Sequence, residues 1–465
     1  MAFSPLQNLE FTMPISTQMT PQDKKPVNAQ STIFAIAIVA GLAELSYAMM
    51  NVSAMPVYLY YSMGYQASSV AAIGTAFLLC EGLAKSPLGV LGDRIGRKKL
   101  IVAGPLVSTV TSLLTLLVHP TQIYYFFILR ALDGLGAAAL WPSALALIAD
   151  VVEEERRSQA MSMFNVTYLI GIALGPFLGG AANDLTAIFT ERVPKLVQSH
   201  GPKIFSAHLH EHVIDPREAS FYIISFMFLM TSLFALWKIP SVKPHHENNP
   251  NSLEPHFSFK DMIHSLKQIP DMLLMAFVTF FGIGLIMLIV KLFAMSELNM
   301  SEVQFGALLL VPCLIIAAIS VPLGTIGDRI GKAKAVRYGV GICAISMWFL
   351  ILMHSEISLI IGGSLIGIGF VIAFPSWMAY LSASCDPRQR GAIMGAVGTA
   401  QGLGAMLGAP IGGVLYEHMP IHISFLPWLN SHYSPFILCA FCLMISWVIT
   451  ILSIKDNRQP CGKIK

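Results

Sequence analysis

Long apolar segments separated by short polar ones run through almost the whole chain. A helix needs about 20 mostly apolar residues to cross the hydrocarbon core of a bilayer, and twelve stretches of this kind occur here. The pattern predicts an all-α membrane protein with twelve transmembrane helices. The stretches lie at 32–60, 67–90, 100–118, 122–149, 158–182, 219–238, 272–296, 303–326, 335–353, 356–382, 391–415 and 434–454.

The composition is typical of a membrane protein and argues against several classes of partner. Hydrophobic residues make up 55% of the 465 residues and charged residues 12%, against about 25% charged in an ordinary soluble domain. A formal charge of +3 does not favour nucleic acid as a partner. The seven cysteines lack framework spacing, so we expect neither disulfides nor a metal site. No Walker-type phosphate loop occurs, and we expect no cofactor and no enzymatic activity.

Lysine and arginine are unevenly distributed between the predicted loops. If the N-terminus is cytoplasmic, most of the 29 basic residues fall on inside segments. The basic residues of the outside segments all lie in one long loop, 183–218. Because cytoplasmic loops carry the excess of Lys and Arg, both termini are predicted to be cytoplasmic. The polar residues 1–30 lack an unbroken apolar core, so they are typical of a disordered tail and not of a signal peptide.

The chain contains an internal repeat. Gly-Asp-Arg-Ile-Gly occurs at 92–96 and again at 327–331, and Pro142 recurs as Pro375. An even number of spans separates the copies, so the repeat is parallel, as in transporters built from two similar halves. The predicted organisation is a tail at 1–30, a six-helix half at 31–238, a cytoplasmic linker at 239–270, a second six-helix half at 271–455 and a tail at 456–465.

The repeated pentapeptide is part of a longer motif. Its positions are Gly89, Asp93, Arg94, Gly96, Arg97 and Lys98 in the first copy and Gly324, Asp328, Arg329, Gly331 and Lys332 in the second. The motif resembles the loop motif of the major facilitator superfamily, and the resemblance extends over residues 31–455. Arg130-Ala-Leu-Asp-Gly134-Leu-Gly136 is similar to a second motif of that family.

The fifth predicted helix carries a glycine motif: Gly171, Gly175, Pro176, Gly179 and Gly180. It resembles the motif that marks the drug:proton antiporter branch of the family, and the twelve-helix type fits best. Glycines four residues apart leave one helix face bare, so another helix can approach closely, while Pro176 removes one backbone hydrogen bond and permits a bend. We expect this packing to let helices rock against each other.

The loop motif is a candidate gate. An acid at Asp93 can cap a neighbouring helix or pair with adjacent arginines, and Asp150 could complete an Asp93–Arg97–Asp150 cluster. We expect that cluster to hold the two halves together on the inside; the alternative is that these residues merely set topology. The candidate gating residues are Gly89, Asp93, Arg94, Gly96, Arg97, Asp150, Asp328 and Arg329.

Glu44 is the leading candidate for proton coupling. It lies about 13 residues into the first helix, roughly 20 Å along its axis, and ionisable residues at that depth are functional candidates by default. A carboxyl group in an apolar, partly wet cavity could bind and release a proton. The resemblance adds that multidrug antiporters carry an acid at a comparable depth. The alternative is a neutral Glu44 hydrogen-bonded to a neighbouring helix.

Arg130 and Asp133 are two further intramembrane candidates. They are three residues apart on one helix face and can pair. The resemblance implies that Arg130 influences protonation of a nearby acid, and a purely structural pair with Asp133 is the alternative. Because the family usually has a neutral residue at position 133, Asp133 could itself be the proton site. Glu81 and Lys85 are expected to form a local pair, and Lys291 is expected to reach toward the outer interface.

The resemblance also implies that helices one, four, seven and ten line a central cavity. Candidate substrate contacts on them are Tyr47, Asn51, Trp141, Phe280, Phe281 and Trp377. The outside loop contains His200, His208, His210 and His212, which could bind zinc on one face of an extended strand, although a polar cap is the stronger interpretation.

Together these features favour proton-coupled efflux of small lipophilic or cationic molecules by alternating access. A transporter for a specific metabolite (sugar, organic acid or siderophore) and a non-transporting sensor on the same fold are the alternatives. We expect a monomer in a bacterial inner membrane, with protons, a small-molecule substrate and lipid as its partners.

Overall fold

A computed structural model describes residues 29–151, 154–189, 215–241, 269–324, 329–353, 355–384, 390–419 and 431–454. Residues 1–28 of the first predicted tail, the tail at 456–465, most of the linker at 239–270 and the four histidines of the outside loop lie outside the described residues.

Six long helices form the N-terminal half. Helix α1 is α-helical over Ala29–Ala48 and continues to Ser62 through two π-helical segments, Met49–Ala54 and Tyr58–Ser62. The others are α2 (Ala67–Ile95), α3 (Arg97–Thr115), α4 (Ile123–Val151), α5 (Glu154–Ala187) and α6 (Ala219–Lys238).

Six more helices form the C-terminal half. Helix α7 (Pro270–Met287) is followed after a turn by its short continuation Val290–Glu297. The others are α8 (Glu302–Gly324), α9 (Lys332–Leu352), α10 (Glu356–Ser384), α11 (Arg390–His418) and α12 (Ser434–Ser453). The prediction of an all-α membrane protein with twelve spans is confirmed, although the seventh span is interrupted where the sequence predicted one continuous helix.

Within the described residues, nine helices are long and apolar enough to cross a membrane by length and hydropathy alone. Two of the remaining three have a compositional reason for the weaker signal. Helix α3 begins with three basic residues, and α11 is rich in glycine, so both have a lower mean hydropathy. Both were nevertheless predicted as spans from the sequence, at 100–118 and 391–415.

The last glycine of the repeated pentapeptide has the same backbone conformation in both halves. Gly96 has φ +100° and Gly331 has φ +95°, a region that is costly for residues with a Cβ atom. Each of these glycines directly precedes a helix, α3 in one case and α9 in the other. The turn geometry therefore explains why glycine recurs at this position.

The same helix pairs pack in both halves. The pairs α1–α5, α3–α4, α2–α4, α3–α6 and α1–α6 recur as α7–α11, α9–α10, α8–α10, α9–α12 and α7–α12. A six-helix shift relates every pair, so the parallel repeat seen in the sequence is a repeat of tertiary packing.

The two halves meet mainly through α5 with α8 and α2 with α11. A Cβ atom at Gly413 would lie 2.7 Å from Ala71 Cβ, and the Ser68 N–H donates to Glu417 Oε2 at 3.3 Å. On α5, Gly180 lies against the backbone of Glu302. These contacts are at the end of the bundle where α2 begins and α11 ends, which we call the outer end because the charge bias predicts that it faces outside.

Candidate functional site

A small cavity of about 130 Å³ lies in the N-terminal half, at its boundary with α7. Glu44 and Glu81 contribute its carboxylates, and aromatic and polar side chains from α1, α2, α4 and α5 form most of the wall. The lining residues are Glu44, Tyr47, Asn51, Gly74, Phe77, Leu78, Glu81, Trp141, Tyr168, Met287 and Leu288.

Glu44 is 9% exposed and faces this cavity. Tyr168 on α5 approaches it and lines the same cavity. The glycine face of α5 makes this approach possible, because a Cβ atom at Gly171 would lie 2.9 Å from Glu44 Cβ. The antiporter-like motif and the candidate proton site are thus in direct contact.

Glu81 is a second carboxylate of the same cavity, which the sequence analysis treated only as half of a local pair. The predicted pair is present, with Lys85 Nζ 2.8 Å from Glu81 Oε1. The Lys85 side chain is 47% exposed and that of Glu81 16%, so the pair runs from the cavity toward the surface. The sequence had no signal for this second role. Glu81 lies on an apolar helix four residues before Lys85, and that pattern does not tell whether its side chain also faces a cavity.

Arg130 and Asp133 form a buried ion pair on α4, with side chains 3% and 1% exposed. Arg130 also donates to Asn51 Oδ1 in the π-helical segment of α1 and lies 4.6 Å from the centre of the Phe77 ring. Its link to α1 therefore runs through Asn51, two turns beyond Glu44. The pair gives the arginine a structural role that is independent of any influence on Glu44.

Aromatic side chains pack around the cavity. The Tyr47 ring centre lies 5.9 Å from that of Phe77 and 6.3 Å from that of Trp141, and its hydroxyl is 2.9 Å from Ser108 Oγ. Trp141 in turn lies 5.3 Å from Tyr168, edge to face. Aromatic faces beside carboxylates are a suitable environment for an organic cation.

A second cavity of about 390 Å³ lies within the C-terminal half and is lined almost wholly by apolar side chains. Phe280 and Trp377 line it, whereas Tyr47, Asn51 and Trp141 line the first cavity. The Phe281 ring stacks on that of Phe277 at 6.0 Å between ring centres, and its backbone lies against Gly404 on α11. The structure therefore divides the six candidate substrate contacts between two cavities and a helix interface.

The Asp93–Arg97–Asp150 cluster is present at the end of the bundle opposite the outer end. Arg97 Nη2 lies 3.0 Å from Asp93 Oδ1, and Arg97 also pairs with Asp150. All three residues belong to α2, α3 and α4, so these pairs join helices of one half. The expectation that the cluster itself holds the two halves together is therefore wrong for these contacts. Asp93 also does not cap the neighbouring helix, since the N-terminus of α3 has no side-chain cap.

The other gating candidates lie outside this cluster of ion pairs. Gly89 lies beside Pro142, since a Cβ atom there would be 3.7 Å from the proline Cβ. Arg94 and Arg329 are exposed. Asp328 lies outside the described residues.

The remaining glycines of α5 pack against α1. A Cβ atom at Gly175 would lie 2.7 Å from Ala48 Cβ and from the Met49 N atom, and one at Gly179 would lie 2.6 Å from Ser53 Oγ. The bare face formed by the four-residue spacing is thus filled by α1. Pro176, next to Gly175, lies in the same α-helix, which continues to Ala187.

The sequence predicted that Lys291 reaches toward the outer interface, and this prediction is wrong. Lys291 is 1% exposed, and its Nζ lies 2.6 Å from Glu302 Oε2 and 2.6 Å from Ser53 Oγ. The reason is that the α7 continuation turns inward against α1, so a lysine near a helix end meets a carboxylate on α8 instead of water. The short distance in sequence between Lys291 and Glu302, on either side of a tight connection, was a possible signal for this ion pair.

Known proteins resemble this chain in sequence, and others resemble it in fold. The family model described as Major Facilitator Superfamily matches residues 36–273 and again 272–460. Multidrug resistance protein 2 of Bacillus subtilis is 24% identical over 431 residues, covering 92% of this chain and 97% of that protein. The multi-drug resistance efflux pump PmrA of Streptococcus pneumoniae is 34% identical over 125 residues, covering 27% of this chain and 29% of the pump.

Among solved structures, a bacterial homolog of the human lysosomal transporter Spinster, in an inward-facing and unoccupied conformation, superposes with a TM-score of 0.71. The identity is 14%, and the match covers 94% of this chain and 100% of that one, so the likeness concerns the fold. The separate matches of the family model to the two halves agree with the repeated packing of six helices. On this evidence the chain is a multi-pass membrane transporter and belongs to the Major Facilitator Superfamily.

Proposed function

We propose that this transporter exports small lipophilic or cationic molecules in exchange for protons, by alternating access of a central site. The observation that carries the proposal is the cavity in which Glu44 and Glu81 face aromatic side chains. A buried carboxylate can hold either a proton or an organic cation, and competition between the two is sufficient for exchange. Full-length similarity to a protein named for multidrug resistance supports the same direction of transport.

The two cavities have different chemistry, which suits substrates with a charged and an apolar part. The cavity in the N-terminal half offers carboxylates, whereas that in the C-terminal half offers an apolar wall that includes Phe280, Phe374 and Trp377. An amphipathic cation could place its charge near Glu44 and its hydrocarbon part toward α7 and α10. Apolar pockets with few polar groups are typical ligand sites.

The proposal includes the arrangement in the cell. With both termini cytoplasmic, the Asp93–Arg97–Asp150 cluster faces the inside, and the contacts between halves at Gly180 and Gly413 close the outside. We propose a monomer in a bacterial inner membrane, because each six-helix half already packs against the other and the full-length relative named above is bacterial.

The function is tested by proton flux in everted membrane vesicles that contain the protein. The vesicle lumen is acidified, and tetraphenylphosphonium, sugars, organic acids and chelated iron are added in turn while a pH-sensitive dye reports the lumen. We expect alkalinisation with the lipophilic cation, abolished by a protonophore and lacking in vesicles without the protein. A response to sugars, organic acids or chelated iron alone would replace the proposal by transport of a specific metabolite, and no response to any class would contradict antiport.

The gate cluster gives a separate prediction. We expect Arg97→Ala and Asp150→Asn each to lower the transport rate, with a coupling energy of about 0.5–3 kcal/mol between them, because Arg97 links α2 and α4 through both acids. Transport rates of the two single variants and the double variant measure the coupling. Lys99, which is exposed on the same helix end, is the control: Lys99→Ala combined with Asp150→Asn should be additive. Additivity for Arg97 as well would reduce the cluster to a topological signal.

A further inference from the structure

Four helices of both halves meet in a buried polar network at the outer end. Lys291 on the α7 continuation donates to Ser53 Oγ on α1 at 2.6 Å and to the Ser53 carbonyl oxygen at 3.3 Å. Its ion-pair partner Glu302, the first residue of α8, accepts from Asn183 Nδ2 on α5 at 3.2 Å through each carboxylate oxygen. Lys291 and Glu302 belong to one half, and Ser53 and Asn183 to the other.

The network is protected from water. Ser53, Asn183, Lys291 and Glu302 are between 0% and 6% exposed. A buried ion pair contributes little net stability, yet breaking its surrounding bonds is strongly unfavourable, because the charges then lack compensation in a medium of low dielectric constant. Its stability therefore depends on whether the two halves are in contact.

Other contacts bring α8 to the same position. The carboxyl group of Asp184, next to Asn183, lies close to the start of α8. An acid is favourable at the positive end of the α8 helix dipole. Glycine at position 180 leaves room for the Glu302 backbone, and Gly306 does the same for Phe177. The N-terminal end of α8 is thus seated on α5 by charge, hydrogen bonds and close packing.

We propose that Ser53, Asn183, Lys291 and Glu302 form an outer lock, which holds the outer end closed and must separate in each transport cycle. When the outer end opens, the Ser53–Lys291 and Asn183–Glu302 bonds break and water solvates the ion pair that stays within the C-terminal half. Water then supplies the hydrogen bonds that the other half supplied. This inference rests on the alternating access proposed above, but its test measures conformation and not transport.

The test is a distance measurement across the outer end. Spin labels are attached to cysteines at Gln66 and Met419, both exposed, in a protein whose seven natural cysteines are replaced by serine. These positions lie at the start of α2 and after the end of α11, on opposite halves and away from the lock. Pulsed electron–electron double resonance on the purified protein then measures the distance between the two labels and hence how far the halves separate. The measurement does not depend on the orientation of the protein in a membrane.

The decisive variant is Ser53→Ala with Asn183→Ala, which removes the side-chain bonds of the lock between the halves and leaves the Lys291–Glu302 pair intact. Only the longer bond from Lys291 to the Ser53 carbonyl oxygen, at 3.3 Å, stays. We expect the population with a long label distance to increase severalfold. Lys291→Met and Glu302→Gln should shift it further, and the combination of these two should shift it less than either alone, because no unpaired charge stays buried. The control is Lys99→Met, which removes an exposed charge at the opposite end of the bundle and should leave the distances unchanged.

Folding is checked by size-exclusion chromatography and thermal unfolding of each variant. If the single charge variants do not fold, the alanine pair still decides, since it creates no unpaired charge. Wild-type distances in a folded Ser53→Ala, Asn183→Ala variant would overturn the lock and leave the network as static packing. That result would not affect proton flux in the vesicle experiment, so the two proposals can fail separately.

Discussion

We expect Glu44→Gln to abolish the proposed proton-coupled export while the protein stays folded in the membrane, which is the largest effect that we expect from a single isosteric change. Glutamine has nearly the same shape as glutamate and can still accept hydrogen bonds through its side-chain carbonyl oxygen in the cavity that Tyr168 also lines. It cannot bind and release a proton. Substrate-driven alkalinisation of acid-loaded vesicles should therefore fall to the level of vesicles without the protein.

Two further variants make this result specific. Asp271→Asn removes a carboxylate from the first turn of α7, away from the cavity, and should leave proton flux close to that of the wild type. Asp133→Asn tests the alternative proton site on α4. Normal flux in folded Glu44→Gln together with a loss of flux in Asp133→Asn would transfer proton coupling from Glu44 to the Arg130–Asp133 pair.

Gly175→Leu eliminates transport for a steric reason. A Cβ atom at this position would already lie 2.7 Å from Ala48 Cβ and 2.8 Å from the Leu45 carbonyl oxygen, and both neighbours are part of α1. Overpacking of a core costs about 1–3 kcal/mol, and here the strain falls on the helix that carries Glu44. We expect loss of transport and a lower unfolding temperature, measured by vesicle flux and by thermal denaturation in detergent.

Glycine at position 402 provides the matched control. No heavy atom lies within 4 Å of a Cβ atom built at Gly402 on α11, so Gly402→Ala should retain transport and stability. Gly175→Ala, the smallest change at the packed site, should already impair both. Equal activity of the two alanine variants would contradict the view that close packing of α5 on α1 is required.

The sequence was sufficient for the spans and the repeat because both depend on consecutive residues. An apolar segment long enough to cross a bilayer is visible without knowledge of its neighbours. Glycine at 96 and 331 is equally local, since the positive φ is a property of the turn itself. The Glu81–Lys85 and Arg130–Asp133 pairs were also within reach, because residues three or four apart share a helix face.

The site was less accessible because it depends on which helix faces meet. Hydrophobic periodicity hardly distinguishes the faces of a membrane helix, since lipid and protein interior are both apolar. The family resemblance indicated which helices line a cavity but not which of their faces do, so it grouped Phe280 and Trp377 with Trp141, although the structure places them in separate cavities. The sequence analysis also treated Glu81 as a partner of Lys85 alone.

The sequence by itself determined that this chain is a two-fold repeat of six membrane helices with charged glycine turns and acids at membrane depth. The tertiary structure alone decided that Glu44 and Glu81 share a cavity, that the Asp93–Arg97–Asp150 cluster lies within one half, and that Lys291 is buried against Ser53 and Glu302. The physical reason is that helix formation and membrane insertion are governed by local sequence, whereas the partner of a buried charge is set by packing between helices distant in the chain.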